Sequence, residues 1–220
     1  MQTTHYLTIN TVSELVCLIV AIISLANDKS NTWRSMILYL LVTCVVEFIG
    51  IAVESKYRNN QWVYNIFLVF EAGFNSLMFY LIFGKYGKFK KNVLAGFFIF
   101  IALYSYEIIK HGFREYNYLT YKVMSAIYVL YSLFFYFLLI RDDDYIGLKS
   151  SAVFWWTVGV LLFYFGNTAC NLFDNSLSNT KIFGDEPLTY FIYKILNVLL
   201  YSCWSYSFIC RKWLTTTSKA

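Results

Sequence analysis

Apolar residues fall in seven runs of roughly 20 positions, each of a length able to cross a ~30 Å hydrocarbon core. The runs read as helices over Leu7–Ala26, Trp33–Val53, Val63–Phe83, Val93–Ile109, Tyr121–Ile140, Ser151–Phe173 and Leu188–Cys210, the fourth being the shortest. The polar connections are short and leave no room for an extramembrane domain. Backbone groups in lipid must bond within their own segment, which selects helices. No stretch of about ten residues alternates apolar with polar as a barrel strand does. Asp185-Glu186-Pro187 suits the start of the last helix. Asp185 caps it, Glu186 meets the positive dipole end, and Pro187 loses no helical bond in the first turn.

Composition agrees. The chain is 59% hydrophobic, 21% aromatic and 14% charged, with a single proline. A soluble domain carries about 25% charged residues. The expected fold is therefore all-α: residues 1–220 form one polytopic membrane bundle of seven transmembrane helices.

Charge sets the orientation through the excess of Lys and Arg on cytoplasmic loops. One side holds Lys29, Arg34, Lys85, Lys88, Lys90, Lys91, Arg141, Lys149, Arg211, Lys212 and Lys219, eleven in all. The other holds Lys56, Arg58, Lys110, Arg114, Lys122 and Lys181, which is six. This predicts the N-terminus outside and the C-terminus inside. Trp33, Trp155, Trp156 and Trp213 then fall near the inner interface and Trp62 near the outer one, as an aromatic belt. The segment MQTTHYLTIN lacks a basic n-region, so the first run is expected to stay as a spanning helix. The five cysteines lie in or beside apolar runs with no C-x-x-C pair, which indicates core residues.

The polar residues inside the runs are the candidate chemistry. Glu14, Glu47, Glu71, Asn167, Lys194 and Asn197 lie six to nine residues below the outer ends of their helices, or roughly 9–14 Å deep at 1.5 Å per residue. Helical spacing pairs Asn10 with Glu14, Thr43 with Glu47, Glu71 with Asn75, Asn167 with Asn171 and Lys194 with Asn197. Five helices thus present polar stripes that should avoid lipid and face the bundle interior. Lys194 is the one cation among them, with Glu14, Glu47 and Glu71 as candidate partners. Two readings follow: a buried ionic network that fixes helix packing, or a ligand, ion or proton site in the outer half.

Catalytic signatures are missing. No H-E-x-x-H, G-x-S-x-G or phosphate-binding glycine loop occurs, and His5 and His111 are too few for a zinc hydrolase. Microbial rhodopsins carry Asp four residues before their retinal lysine, whereas Tyr190 precedes Lys194. No metal or cofactor is implied, and the chain reads as a non-enzyme. An acid/base pair of Glu71 and Lys194 acting on a lipid is the enzymatic alternative. GKYGKFKKN (Gly84–Asn92) is a basic inner loop that, with Arg211 and Lys212, forms a face suited to anionic lipid headgroups or to an acidic partner or RNA. RDDDY (Arg141–Tyr145) has oxygen ligands for a divalent cation but no known loop spacing, so it reads as a solvated turn. The connection Asp174–Pro187, the longest, is placed to cover the polar layer.

Stretches such as NNQWVYNIFLVFE and FWWTVGVLLFYFGN, with the chain's length and aromatic-rich spans, resemble the small multi-span accessory proteins encoded beside type VI-B CRISPR RNA-targeting effectors. That resemblance implies a regulator in a bacterial inner membrane, acting on a cytoplasmic RNA-guided effector or signalling protein. It carries no signature motif and assigns no residue. The leading expectation is a membrane sensor or regulatory accessory. A small transporter or ion pathway is the second class and an intramembrane lipid-modifying enzyme the third.

Overall fold

The computed structural model describes residues 8–86, 89–141, 148–173, 177, 180–181 and 187–217. Lys88, Asp142–Tyr145, Asp185, Glu186, Lys219 and most of the Asp174–Pro187 connection lie outside these residues. The described chain is helical: α1 Ile9–Leu25, α2 Asn31–Tyr57, α3 Gln61–Ile82, α4 Lys90–His111, α5 Tyr118–Ile140, α6 Ala152–Leu172 and α7 Leu188–Thr217. Single 3-10 turns, Phe83–Tyr86 and Leu148–Ser150, precede α4 and α6. Each helix matches one apolar run. The fourth is not the shortest: at 22 residues it exceeds α1, which has 17. Lys90, Lys91, Lys110 and His111 extend it past its apolar centre.

Helices α2 to α6 are long and apolar enough to cross a membrane. Helix α1 is apolar but shorter. Helix α7 has length to spare at 30 residues, but Ser, Asn, Tyr and Lys dilute its apolar character. Local chemistry sets the ends. Thr8 and Ser151 accept from the backbone N–H of Thr11 and Phe154, starting α1 and α6. Helix α2 ends where Arg58 enters the left-handed region at φ 57°, and α4 where Gly112 does so at φ 77°.

The chain divides into two compact units, Leu38–Ile127 and Leu7–Ile37 with Tyr128–Ala220. In the first, consecutive helices run antiparallel. Tyr39 of α2 stacks on Phe70 and Phe74 of α3, with centroids 5.7 and 4.4 Å apart. Further along, Tyr64 donates to Glu47 at 3.2 Å. Gly50 makes room for that ring, since a Cβ there would lie 2.6 Å from the Tyr64 hydroxyl. Tyr104 of α4 donates to the Asn65 carbonyl of α3.

In the second unit α7 is the axis. It packs against α6 in antiparallel fashion: Trp204 donates to the Trp156 carbonyl at 3.2 Å, Ser207 to the Ala152 carbonyl at 2.6 Å, and the two indoles stack at 6.1 Å. It also packs against α1, here in parallel, because Tyr201 meets Glu14 and Lys212 meets the Ile23 carbonyl. Trp156 is therefore fully buried core and no part of an interfacial belt. The five cysteines are free thiols.

Close packing at Gly159 yields a first prediction. A Cβ there would lie 3.1 Å from Cys203 Cβ and 3.2 Å from the rigid Leu200 carbonyl. Gly159→Val should cost about 1–3 kcal/mol, as overpacking does. At Gly73 a Cβ meets nothing within 4 Å, so Gly73→Ala should be neutral or stabilising by about 0.5–1 kcal/mol through helix propensity. Melting of the detergent-solubilised protein, followed by circular dichroism, checks both.

Candidate functional site

The predicted polar layer is distributed over both units. Glu47, Glu71 and Asn75 belong to the first, and Glu14, Asn167, Asn171, Lys194 and Asn197 to the second. Glu47 accepts from Tyr64. Glu71 is half-buried and Asn75, one turn further along α3, is buried.

In the second unit, Lys194 places its ammonium 3.8 Å from the centroid of Tyr190, one turn earlier in α7. Side chains on a helix lean toward its N-terminus, so the charge rises along the helix and rests on an aromatic face. Such a contact contributes about 0.5–2 kcal/mol, more where water is excluded. Asn197 bonds back to the Tyr193 carbonyl of its own helix at 3.0 Å. Glu14, buried, accepts from Tyr201 at 3.3 Å. Residues Thr8–Val16 of α1 face Val198–Ile209 of α7, so the two helices do not begin level. Glu14 lies opposite a residue two turns, or about 10 Å, further along α7 than Lys194. On α6, Gly166 packs against Leu196, which brings Asn167 to the level of Lys194. The side-chain nitrogens of Asn167 and Asn171, one turn apart, are buried with no hydrogen-bond partner among the described residues.

The basic face divides as well. Arg211 forms a two-point contact with Asp28, 2.8 Å from Nε to Oδ2 and 3.2 Å from Nη2 to Oδ1, and lies 5.5 Å from the Trp33 ring. Lys212 donates to the Ile23 carbonyl at 3.3 Å. Arg211 thus joins α7 to the connection from α1 to α2, and Lys212 joins it to the last turn of α1. Lys90 lies 4.9 Å from the Tyr80 ring, and Lys91 is exposed. Lys85 belongs to the 3-10 turn before α4.

Several buried polar residues, Asn65, Glu107 and Asp28, lie near or beyond the ends of the apolar runs and outside the predicted polar layer. Asn65 donates to the carbonyls of Phe113 and Glu115 and accepts from the Asn117 N–H, holding the α4–α5 connection onto α3. Glu107 accepts from the N–H groups of Leu119 and Thr120 and from the Thr120 hydroxyl, capping α5 from the end of α4. Asp28 accepts from the Ser30 N–H at 2.7 Å while it holds Arg211. The spacing D-x-S before an apolar run is a turn signal that would have identified Asp28. Nothing local marks Asn65, whose partners are about 50 residues away.

Comparison with protein-family models, with curated proteins and with solved structures finds no match.

The Asp28 clamp yields a pH prediction. Burial pushes its carboxyl up, but the hydrogen bonds from Arg211 and Ser30 and the charges of Arg211 and Arg34 outweigh this, leaving it below the usual carboxylate value. A depressed folded pKa gives stability that is complete above the unfolded value of about 3.9 and is lost as pH falls through the folded one. The melting temperature should therefore drop on acidification below about pH 4, and Asp28→Asn should flatten that part of the profile. Arg211→Met should cost about 3 kcal/mol, near the lower figure for breaking a buried pair, since Arg211 is partly exposed. Adding Asp28→Asn should return part of that loss.

Proposed function

We propose that this chain is a multi-pass regulatory or sensor protein of a bacterial inner membrane, crossing it seven times with the N-terminus outside and the C-terminus inside. The parallel packing of α1 against α7 carries the topology. Two helices that point the same way have an even number of crossings from one to the other, which a seven-span chain satisfies. Antiparallel neighbours within each unit agree with alternating crossings, and so does the eleven-to-six charge bias. Asn65, Glu107 and Asp28 close helix ends and connections, and the regulatory reading itself rests on the sequence resemblance. Action on a cytoplasmic RNA-guided antiviral effector rests on the sequence resemblance and on the basic inner positions Lys85, Lys88 and Lys91.

Topology is tested by reporter fusions after Lys91 and after Ser218. Both should report cytoplasm, and a periplasmic signal at either would overturn the orientation. For the regulatory role, the chain is co-expressed with a type VI-B effector and interference is measured. Neutralising Lys85, Lys88 and Lys91, while sparing the structural Arg211, should weaken the effect on interference and leave membrane insertion intact. Interference that is the same with and without the chain would reject the role.

One observation favours a second reading, a small transporter or ion pathway. The unpartnered amide nitrogens of Asn167 and Asn171 are buried donors at and above the level of Lys194, and intramembrane polar groups of that kind line substrate paths. Ion flux in proteoliposomes that is lost in Asn167→Leu would favour it over the regulator.

A further inference from the structure

The first unit carries a groove between α3 and α4, close to the connection that joins them. Its volume is about 260 Å³, and it is lined by Gly73, Leu77 and Tyr80 of α3 and by Val93, Leu94 and Phe97 of α4. Leu77 and Leu94 are close to half exposed, so the groove opens on the apolar outer surface of two helices that are each long enough to span a membrane. Its floor is open because of Gly73, where a Cβ would meet nothing within 4 Å. From Gly73 to Tyr80 the slot runs two helical turns, or about 10 Å, toward the end of α3.

A cation stands at that end. Lys90 opens α4 and sets its ammonium 4.9 Å from the ring of Tyr80, itself a wall of the groove. Gly84 leaves room for this position, since a Cβ there would lie 3.3 Å from Lys90 Cε and 3.5 Å from Nζ. Lys91, the next residue, is exposed. An apolar slot with a positive charge at its membrane-face end matches a molecule with an apolar tail and a negative head. In a bilayer that molecule is an anionic phospholipid, whose headgroup basic residues at the membrane face attract by about 1 kcal/mol per cation.

We infer that the α3–α4 groove is a binding site for one anionic phospholipid, with an acyl chain along Gly73, Leu77 and Phe97 and the phosphate on Lys90. The site differs from general attraction of the basic loop to the surface because it requires the slot as well as the charge. It does not depend on the regulatory reading, and its test does not involve an effector.

The full chain, solubilised in detergent, is mixed with equal amounts of phosphatidylglycerol and phosphatidylcholine, and retained lipid is counted by native mass spectrometry. Phosphatidylglycerol should be retained several-fold in excess of phosphatidylcholine. Lys90→Gln should bring the ratio close to unity, while Lys90→Arg should preserve it. Gly73→Leu places a side chain in the slot without a clash at Cβ and improves helix propensity, so it should keep or raise the melting temperature and abolish retention of the slot lipid. Equal retention of the two lipids by the unaltered chain would overturn the site. So would undiminished selectivity in Lys90→Gln, or undiminished phosphatidylglycerol retention in Gly73→Leu that melts no lower than the unaltered chain.

Discussion

A helix leaves its first N–H groups and last carbonyls without intrahelical partners, and beside hydrocarbon each unsatisfied group costs several kcal/mol. Much of the described polar chemistry of this chain answers that constraint. Glu107 closes the start of α5 with both carboxylate oxygens. Asn65 uses donor and acceptor at once to hold the connection before it. Thr8 and Ser151 cap their own helices. Glu107 and Asn65 are buried, while Thr8 and Ser151 are partly exposed.

Between helices in lipid the hydrophobic effect offers little, and association relies on close packing and interhelical hydrogen bonds. The α6–α7 seam shows both. Gly159 and Gly166 bring backbone and side chains of α7 to within van der Waals contact, while Trp204 and Ser207 donate to carbonyls of α6. Seams of this kind make α7 the axis of its unit. The Asp28–Arg211 clamp then ties the last turns of α7 to the connection after α1. Its carboxylate is buried and its guanidinium only partly so, a geometry in which the pair is retained because either member alone would be costly.

Lys194, partly exposed, rests its charge on an aromatic ring of its own helix. Its reach toward the N-terminal end of α7 moves the ammonium outward, and Tyr190 supplies a π face at the point it reaches. Tyr190, which stands where microbial rhodopsins carry Asp, thus carries the ammonium 3.8 Å from its ring centroid. Glu14, level with Tyr201, lies deeper along the same helix pair.

Helix number, extent and approximate ends were legible in the sequence, because an apolar run of about 20 residues in lipid has only one way to satisfy its backbone. The run over Val93–Ile109 became α4, Lys90–His111, since basic residues at both ends extend a helix that composition alone trims. What no run of residues could carry was the axial offset between α1 and α7, which depends on Tyr201 meeting Glu14 across 187 positions. Depth counted from each helix's own start assumes that the starts are level, and here packing sets them apart. For the same reason Arg211 reads as one more cation of a basic face until the fold brings Asp28 against it, and Trp156 reads as an interfacial residue until Trp204 covers it. Sequence determined which residues are helical and which are polar within a helix, because both follow from local chemistry and the medium. Tertiary structure decided which polar group meets which, because that depends on register between helices and on the few glycines that let them approach.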